Sequence, residues 1–458
     1  MQTKQSTFLG IGGLLSLAFL LAGCDAEARK PANPPAAHKP LAHALPSEAE
    51  VEDQTIRFLE DRVKRDPEDF IAYNKLVEQY LQRVRNTGDI TYLTLASKAA
   101  HASLATLHAE RNIGGLTALA QVEYASHDFM AARDHARQLA ELDPDKSYPY
   151  QILGDALLEL GDYREAEDSF RRMQDSGGVH GMTRVAIEQR VARLAALRGD
   201  SQGARRHMDN ALTTAESLAL PPQETIAWCH WQLGEIAFGV GDYPAAEGEY
   251  RRSLAAFPNY FRALASLGRV LAARGDIRGA TEQYAHAVRI VPDPAFLAAL
   301  GDLYKIAGRD KDAAAQYALV EKIGDLNAFN GTLYNRQLAV FYADHDLKTG
   351  VAYQQAYREY SVRRDIYGSD ALAWSALKAG RLSEARTAIR RALRLGTRDA
   401  RLFYHAGMIA RATGDKAMAI TYLRKALALS PQFDPLQAAF AREGLRTMTT
   451  PRKTARAS

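Results

Sequence analysis

Apolar and polar positions follow a helical period along most of the chain, in short segments broken by tight turns. The turns read Gly-Asp or a close variant. They fall at Gly88-Asp89, His127-Asp128, Gly161-Asp162, Gly199-Asp200, Gly241-Asp242, Gly275-Asp276, Gly308-Arg309, His345-Asp346, Gly380-Arg381 and Gly414-Asp415. Successive steps are 39, 34, 38, 42, 34, 33, 37, 35 and 34 residues, so one supersecondary unit of about 34 residues is repeated. The neighbouring letters repeat too. Leu153-Gly154, Leu233-Gly234, Leu267-Gly268 and Leu300-Gly301 precede their turns. Ala166, Ala246, Ala280 and Ala313 follow, then Phe170, Tyr250, Tyr284 and Tyr317, and Pro144, Pro258, Pro292 and Pro431 close units.

Each letter has a physical reason in a pair of antiparallel helices. Gly268 and Ala280 leave room for the two helices to approach, and Tyr284 fills the space between neighbouring units. Gly275 supplies a helix-ending conformation that residues with a Cβ resist, and Asp276 can cap the next helix by accepting from its free N–H groups. Pro292 lies past the second helix, where continuation would lose a backbone bond. No unit buries its apolar face alone, so the units must stack. Ten turns predict an all-α solenoid of about ten hairpins over residues 51–435, a capping helix at 436–447 and a disordered basic tail at 448–458. Two stretches break the rhythm: 174–226, with Gly177-Gly178 and Pro221-Pro222, and 322–336, with Gly324–Gly331.

The pattern resembles the tetratricopeptide repeat (TPR), most closely in GDYREAEDSF at residues 161–170, and the resemblance covers about residues 66–435. The Trp usual at the first position of that family is replaced by Tyr150, His230 or Leu264. The resemblance implies that the first helix of each unit lines a concave groove. The inward positions are then Tyr148, Gln151, Asp155, Trp228, Trp231, Glu235, Phe238, Arg262, Arg269, Arg401, Tyr404 and Arg411. Of these, Tyr148, Gln151, Trp228, Trp231, Arg262, Arg269, Arg401 and Tyr404 are the candidate partner-binding residues, because Trp, Tyr and Arg are enriched at interface hot spots. Trp228 and Trp231 can equally pack between helices. Repeats that grip C-terminal carboxylates use Lys and Asn where this chain has Trp231 and Glu235, so that activity is not implied.

The N-terminus reads as an address. Residues 1–7 carry one positive charge, Lys4, and residues 8–22 are apolar and uncharged, too short for a comfortable membrane span. Leu21-Ala22-Gly23-Cys24 resembles the lipobox of bacterial lipoproteins, which implies a signal peptide at 1–23 and lipid on Cys24. The alternative is an ordinary signal peptide that contains a Cys. Asp25 resembles the signal for retention on the inner membrane. Residues 24–50, with Pro31, Pro34, Pro35, Pro40, Pro46 and many Ala, read as a semi-extended tether. The expected location is the cell membrane, lipid-anchored and extracytoplasmic.

Composition narrows the classes further. With 47% hydrophobic and 24% charged residues, wholesale disorder and a multi-span membrane protein are both excluded. A net charge of +4, scattered along the chain, gives no case for nucleic acid. There are two Cys; with Cys24 acylated, Cys229 has no partner in the chain and is expected to be a buried, inert thiol.

No His-Glu-x-x-His, Cys-x-x-Cys, phosphate loop or Gly-x-Ser-x-Gly occurs. Asp344-His345-Asp346 is the one dense trio of metal-ligand types, at a turn where helix capping is the simpler role. No cofactor is expected. The expected function is a non-catalytic envelope scaffold that binds other envelope proteins or peptides in its groove and assists assembly of a membrane or surface complex. Two alternatives stay open: a solute- or glycan-binding lipoprotein, which would need an enclosed polar pocket, and an enzyme with a site in the irregular stretches.

Overall fold

The computed structural model describes residues 48–176, 180–329 and 336–450. The expected signal peptide, Cys24 and the tether up to residue 47 lie outside the described residues. So do 177–179 and 330–335, within the two irregular stretches, and 451–458 of the expected tail.

All 22 elements are α-helices, and no strand occurs among the described residues. After α1 (Glu48–Arg65) come ten hairpins, each with a first helix A and a second helix B. They are α2 (Phe70–Thr87) with α3 (Thr91–Thr106), α4 (Ile113–Ala125) with α5 (Phe129–Leu142), α6 (Ser147–Leu160) with α7 (Tyr163–Asp175), and α8 (Gly181–Leu197) with α9 (Ser201–Glu216). Next are α10 (Gln223–Gly239) with α11 (Tyr243–Ala256), α12 (Phe261–Ala273) with α13 (Ile277–Ile290), and α14 (Pro294–Ile306) with α15 (Asp310–Phe329). The last are α16 (Arg336–Asp344) with α17 (Thr349–Tyr360), α18 (Ile366–Lys378) with α19 (Leu382–Ala392), and α20 (Ala400–Ala412) with α21 (Lys416–Leu429), followed by α22 (Gln437–Thr449). No helix among the described residues is long and apolar enough to cross a membrane.

Local chemistry sets the hairpins. The turn aspartates Asp128, Asp200, Asp242, Asp276 and Asp415 each accept from the backbone N–H three residues on, capping their B helices. The glycine of each Leu-Gly pair lies under the aromatic ring of its own B helix: Gly154 under Phe170, Gly234 under Tyr250, Gly268 under Tyr284 and Gly301 under Tyr317. Tyr284 also joins the cluster that holds Leu300 and Leu303 of the following A helix, so one ring closes both its hairpin and the joint to the next.

The helical ends depart from expectation by a few residues. α1 starts at Glu48, inside the expected tether, because Ile56 and Leu59 bury against the cluster around Tyr80. α22 runs to Thr449, into the expected tail, and Met448 packs with the cluster of Trp374 and Tyr404. The irregular stretches owe their length to long helices: α8 and α9 have 17 and 16 residues, and α15 has 20 and continues through Gly324.

Successive A helices touch one another (α2 with α4, α4 with α6, α10 with α12, α14 with α16, α16 with α18, α18 with α20), while successive B helices make no comparable contact. The A helices therefore converge and form the inner face. The array winds tightly enough for one superhelical turn to meet the next. Hydrogen bonds span 187 to 204 residues of sequence, as between Tyr243 and Ser430 or Arg363 and Glu159.

Candidate partner-binding surface

The inner face is built from polar side chains that pair between neighbouring A helices. Asp155 on α6 meets Arg190 on α8 at 2.6 Å, and Glu159 meets Arg193 at 2.5 Å. Glu235 on α10 meets Arg269 on α12 at 2.6 Å and also accepts from Tyr250 and Ser266, each at 2.8 Å. Asp302 on α14 meets His345 Nε2 at 2.8 Å, and Asp370 on α18 meets His405 Nδ1 on α20 at 2.9 Å. Burial alone would raise the Glu235 carboxyl; the Arg269 guanidinium and the donated hydrogen bonds outweigh it and hold the group below its ordinary value.

This pairing occupies several of the residues expected to meet a partner. Arg269 is held by Glu235 and stacks over Phe238, which is itself buried. The Arg401 side chain is 43% exposed but bonds to Asp344 at 2.9 Å. Tyr148 is half-buried, with its hydroxyl on Asp143 at 2.7 Å, and Gln151 is half-buried beside it on α6. Tyr404 is only 2% exposed, between Trp374 and Phe433, and belongs to the interior rather than to an open groove. Arg411 is exposed.

Three candidates do come together. Trp228 and Trp231 are half-buried with ring centroids 6.4 Å apart and near-perpendicular, and the Arg262 guanidinium lies 5.6 Å from the Trp231 ring. Trp231 is fixed from behind, its Nε1 donating to Ser266 Oγ at 2.9 Å. The cluster continues through residues the pattern had not singled out. Tyr260 lies 6.3 Å from Trp231, Phe261 lies under Arg262 at 5.1 Å, and Phe296 lies 6.2 Å from Phe261. Their signal was an aromatic at the N-terminal end of α12 and α14, a register that the Leu-Gly count did not include. The result is an aromatic strip that runs from the first half of α10 to the starts of α12 and α14, with Arg262 exposed upon it.

The Asp344-His345-Asp346 trio does not converge. Asp344 accepts from Trp374 Nε1 and Gln437 Nε2, His345 faces Asp302, and Asp346 faces Lys378. Among the described residues no group of three or more His, Cys, Asp or Glu is placed to hold a metal ion. Cys229 is fully buried, and burial pushes its thiol up to about 11.

A tetratricopeptide-repeat family model matches residues 117–178, 232–293 and 371–432. The chain carries tetratricopeptide repeats. Solved structures with similarity to this TPR array include BtubC (BKLC) from P. vanneervenii, at 24% identity over 46% of this chain and 92% of that one, with a TM-score of 0.36. PilW, a widely conserved type IV pilus biogenesis factor, is similar at 19% identity over 49% of this chain and 96% of its own, with a TM-score of 0.38. A tetratricopeptide repeat protein from Parabacteroides merdae is similar at 16% identity over 58% of this chain and 99% of its own, with a TM-score of 0.32. No curated protein matches the chain. TPR domains generally bind protein partners and generally act as non-catalytic scaffolds.

Proposed function

We propose that the protein is a non-catalytic envelope lipoprotein, anchored through lipid on Cys24, whose TPR array holds another envelope protein or peptide and assists assembly of a membrane or surface complex. Asp25 favours the inner membrane, and the Pro/Ala-rich segment after Cys24 would carry the folded array away from the bilayer. The observation that carries the binding half is the aromatic strip of Trp228, Trp231, Phe261 and Phe296 with Arg262 upon it. Elsewhere on the inner face Arg190, Arg193 and Arg269 are tied to carboxylates of the same chain. Arg262 instead has its charge over two ring faces, where a partner can replace water around an anchored cation and flat apolar surface.

Crosslinking in native membranes tests this reading. The adduct formed by the wild type should be lost in Arg262→Glu, where the exposed side chain leaves the thermal midpoint unchanged, and in Trp228→Ala at a temperature where that variant stays folded. Adducts of equal yield in both variants would move the binding surface elsewhere. Labelling with a radioactive fatty acid tests the anchor separately, since Cys24→Ser should abolish incorporation.

A further inference from the structure

The strongest unexplained feature is the seam where one superhelical turn meets the next. The A–B turns of the first, third, fourth and fifth hairpins seat against segments that join later hairpins. A Cβ on Gly88 would come 2.6 Å from Val291 Cγ1, on Gly161 2.5 Å from the Arg364 carbonyl oxygen, on Gly199 2.6 Å from the Gly396 carbonyl oxygen, and on Gly241 3.0 Å from the Leu429 carbonyl oxygen. The turn glycines of later hairpins, Gly275, Gly308, Gly380 and Gly414, have nothing within 4 Å. That is the signature of a coil whose pitch is about five hairpins: among the described residues the glycine turns of the early hairpins have a later turn to touch, and those of the sixth, seventh, ninth and tenth do not.

The chemistry of the seam is specific. Helices leave their last carbonyls without intrahelical donors. Here the next turn supplies them: Leu160 at the end of α6 accepts from the Arg364 N–H at 3.1 Å, Leu197 at the end of α8 accepts from the Thr397 hydroxyl, and Phe238 near the end of α10 accepts from Ser430 Oγ at 3.2 Å. The hydroxyls of Tyr163 and Tyr243 accept in turn from the N–H groups of Ile366 (2.8 Å) and Gln432 (2.7 Å). Arg363, 9% exposed, reaches Glu159 across the seam and Glu359 on its own side at 3.1 Å, and stacks over Phe129 at 4.7 Å. Its Nε has no hydrogen-bond partner among the described residues. Apolar contributions come from Tyr163 and Leu197, which pack on the cluster around Ile366 and Leu402.

We propose that this seam is a latch: it opens as a unit, without unfolding the hairpins it joins, and sets how far the inner face is accessible. The polar contacts across it are mostly single hydrogen bonds that use a backbone group, which water can replace, beside the Arg363–Glu159 ion pair and the limited packing of Tyr163 and Leu197. The contacts within each hairpin are continuous apolar cores, which water cannot replace. If a partner docks on the inner face, as proposed above, the latch governs its entry. The latch itself is read without any partner, so its failure and the failure of the binding reading are separate results.

Amide hydrogen exchange on the full chain is the test. The Arg364, Ile366 and Gln432 amides, whose acceptors lie across the seam, should exchange together and about tenfold or more faster than amides inside α12 and α13. The variant Tyr163→Phe, Tyr243→Phe, Arg363→Met should speed those three amides by about another tenfold and leave α12 and α13 unchanged. Exchange of the three amides only at the rate of the hairpin interiors would overturn the proposal, as would equal acceleration of α12 and α13 in the variant.

Discussion

Gly268 lies against the ring of Tyr284 so closely that a Cβ would stand 2.7 Å from Cδ2 and 3.1 Å from the Ala280 carbonyl oxygen. The glycine is what lets α12 and α13 meet at this distance. Gly268→Leu should force the pair apart and cost about 1–3 kcal/mol, through overpacking that no rotamer relieves. A thermal midpoint equal to that of the wild type would show that the two helices are not locked at this point.

The letters of the Gly268–Tyr284 contact were legible in the sequence because both lie within one hairpin and recur at fixed spacing in its neighbours, but the reading set Tyr284 between units, while its ring also covers Gly268 of its own hairpin. The charge pairs between A helices were only half legible. Glu235 and Arg269 stood as separate inward positions, although their separation of 34 residues is the repeat itself. The latch was not legible at all. Tyr163 looks like any aromatic after a Gly-Asp turn, and its donor, Ile366, is 203 residues away with no periodic mark. Tyr404 shows the same limit from the other side. Its register points inward, but Trp374 and Phe433 cover it, and that depends on the winding of the coil and not on the pattern of its own helix.

Cys229 should behave as a core residue. Its side chain is sealed among α8, α9 and α10 residues that include Val185, Met208 and Leu233, with Gln189 Nε2 3.6 Å from the sulfur. A thiol pushed up to about 11 by burial is almost wholly protonated at neutral pH and presents no nucleophile. A maleimide reagent applied to a Cys24→Ser background should leave the native protein unmodified and label it fully in denaturant. Rapid labelling of the native state would place Cys229 at the surface.

Glu159 ties stability to acid. Burial alone would raise its carboxyl, but Arg193 and Arg363 outweigh that and hold it at about 2, below the ordinary value of 4.5. A carboxylate depressed in the folded state contributes stability above its unfolded value, and loses that contribution as the pH falls from about 4.5 towards 2. Wild-type stability should therefore drop across that interval more steeply than that of Glu159→Gln. At pH 7 the variant should be weaker by on the order of 2 kcal/mol. Denaturant midpoints for both proteins, measured from pH 7 down to pH 3, provide the comparison, and parallel curves would remove Glu159 from the acid response.

The Asp370–His405 pair offers the sharpest energetic test. His405 is 1% exposed, stacked on Trp374 at 4.2 Å, with Nδ1 within 2.9 and 3.0 Å of the two Asp370 carboxylate oxygens. The histidine satisfies a carboxyl group that is itself buried, so removing it alone leaves an acceptor without its donor in a place water reaches poorly. His405→Leu should cost about 3 kcal/mol on that account. The double variant Asp370→Leu, His405→Leu removes both polar groups and should recover much of the loss, since replacing a whole buried pair with apolar side chains is far less costly than orphaning one member. A double-mutant cycle by chemical denaturation measures the coupling directly. Additive losses would mean that the two residues act independently and that the short contact between α18 and α20 contributes nothing to holding the ninth and tenth hairpins together.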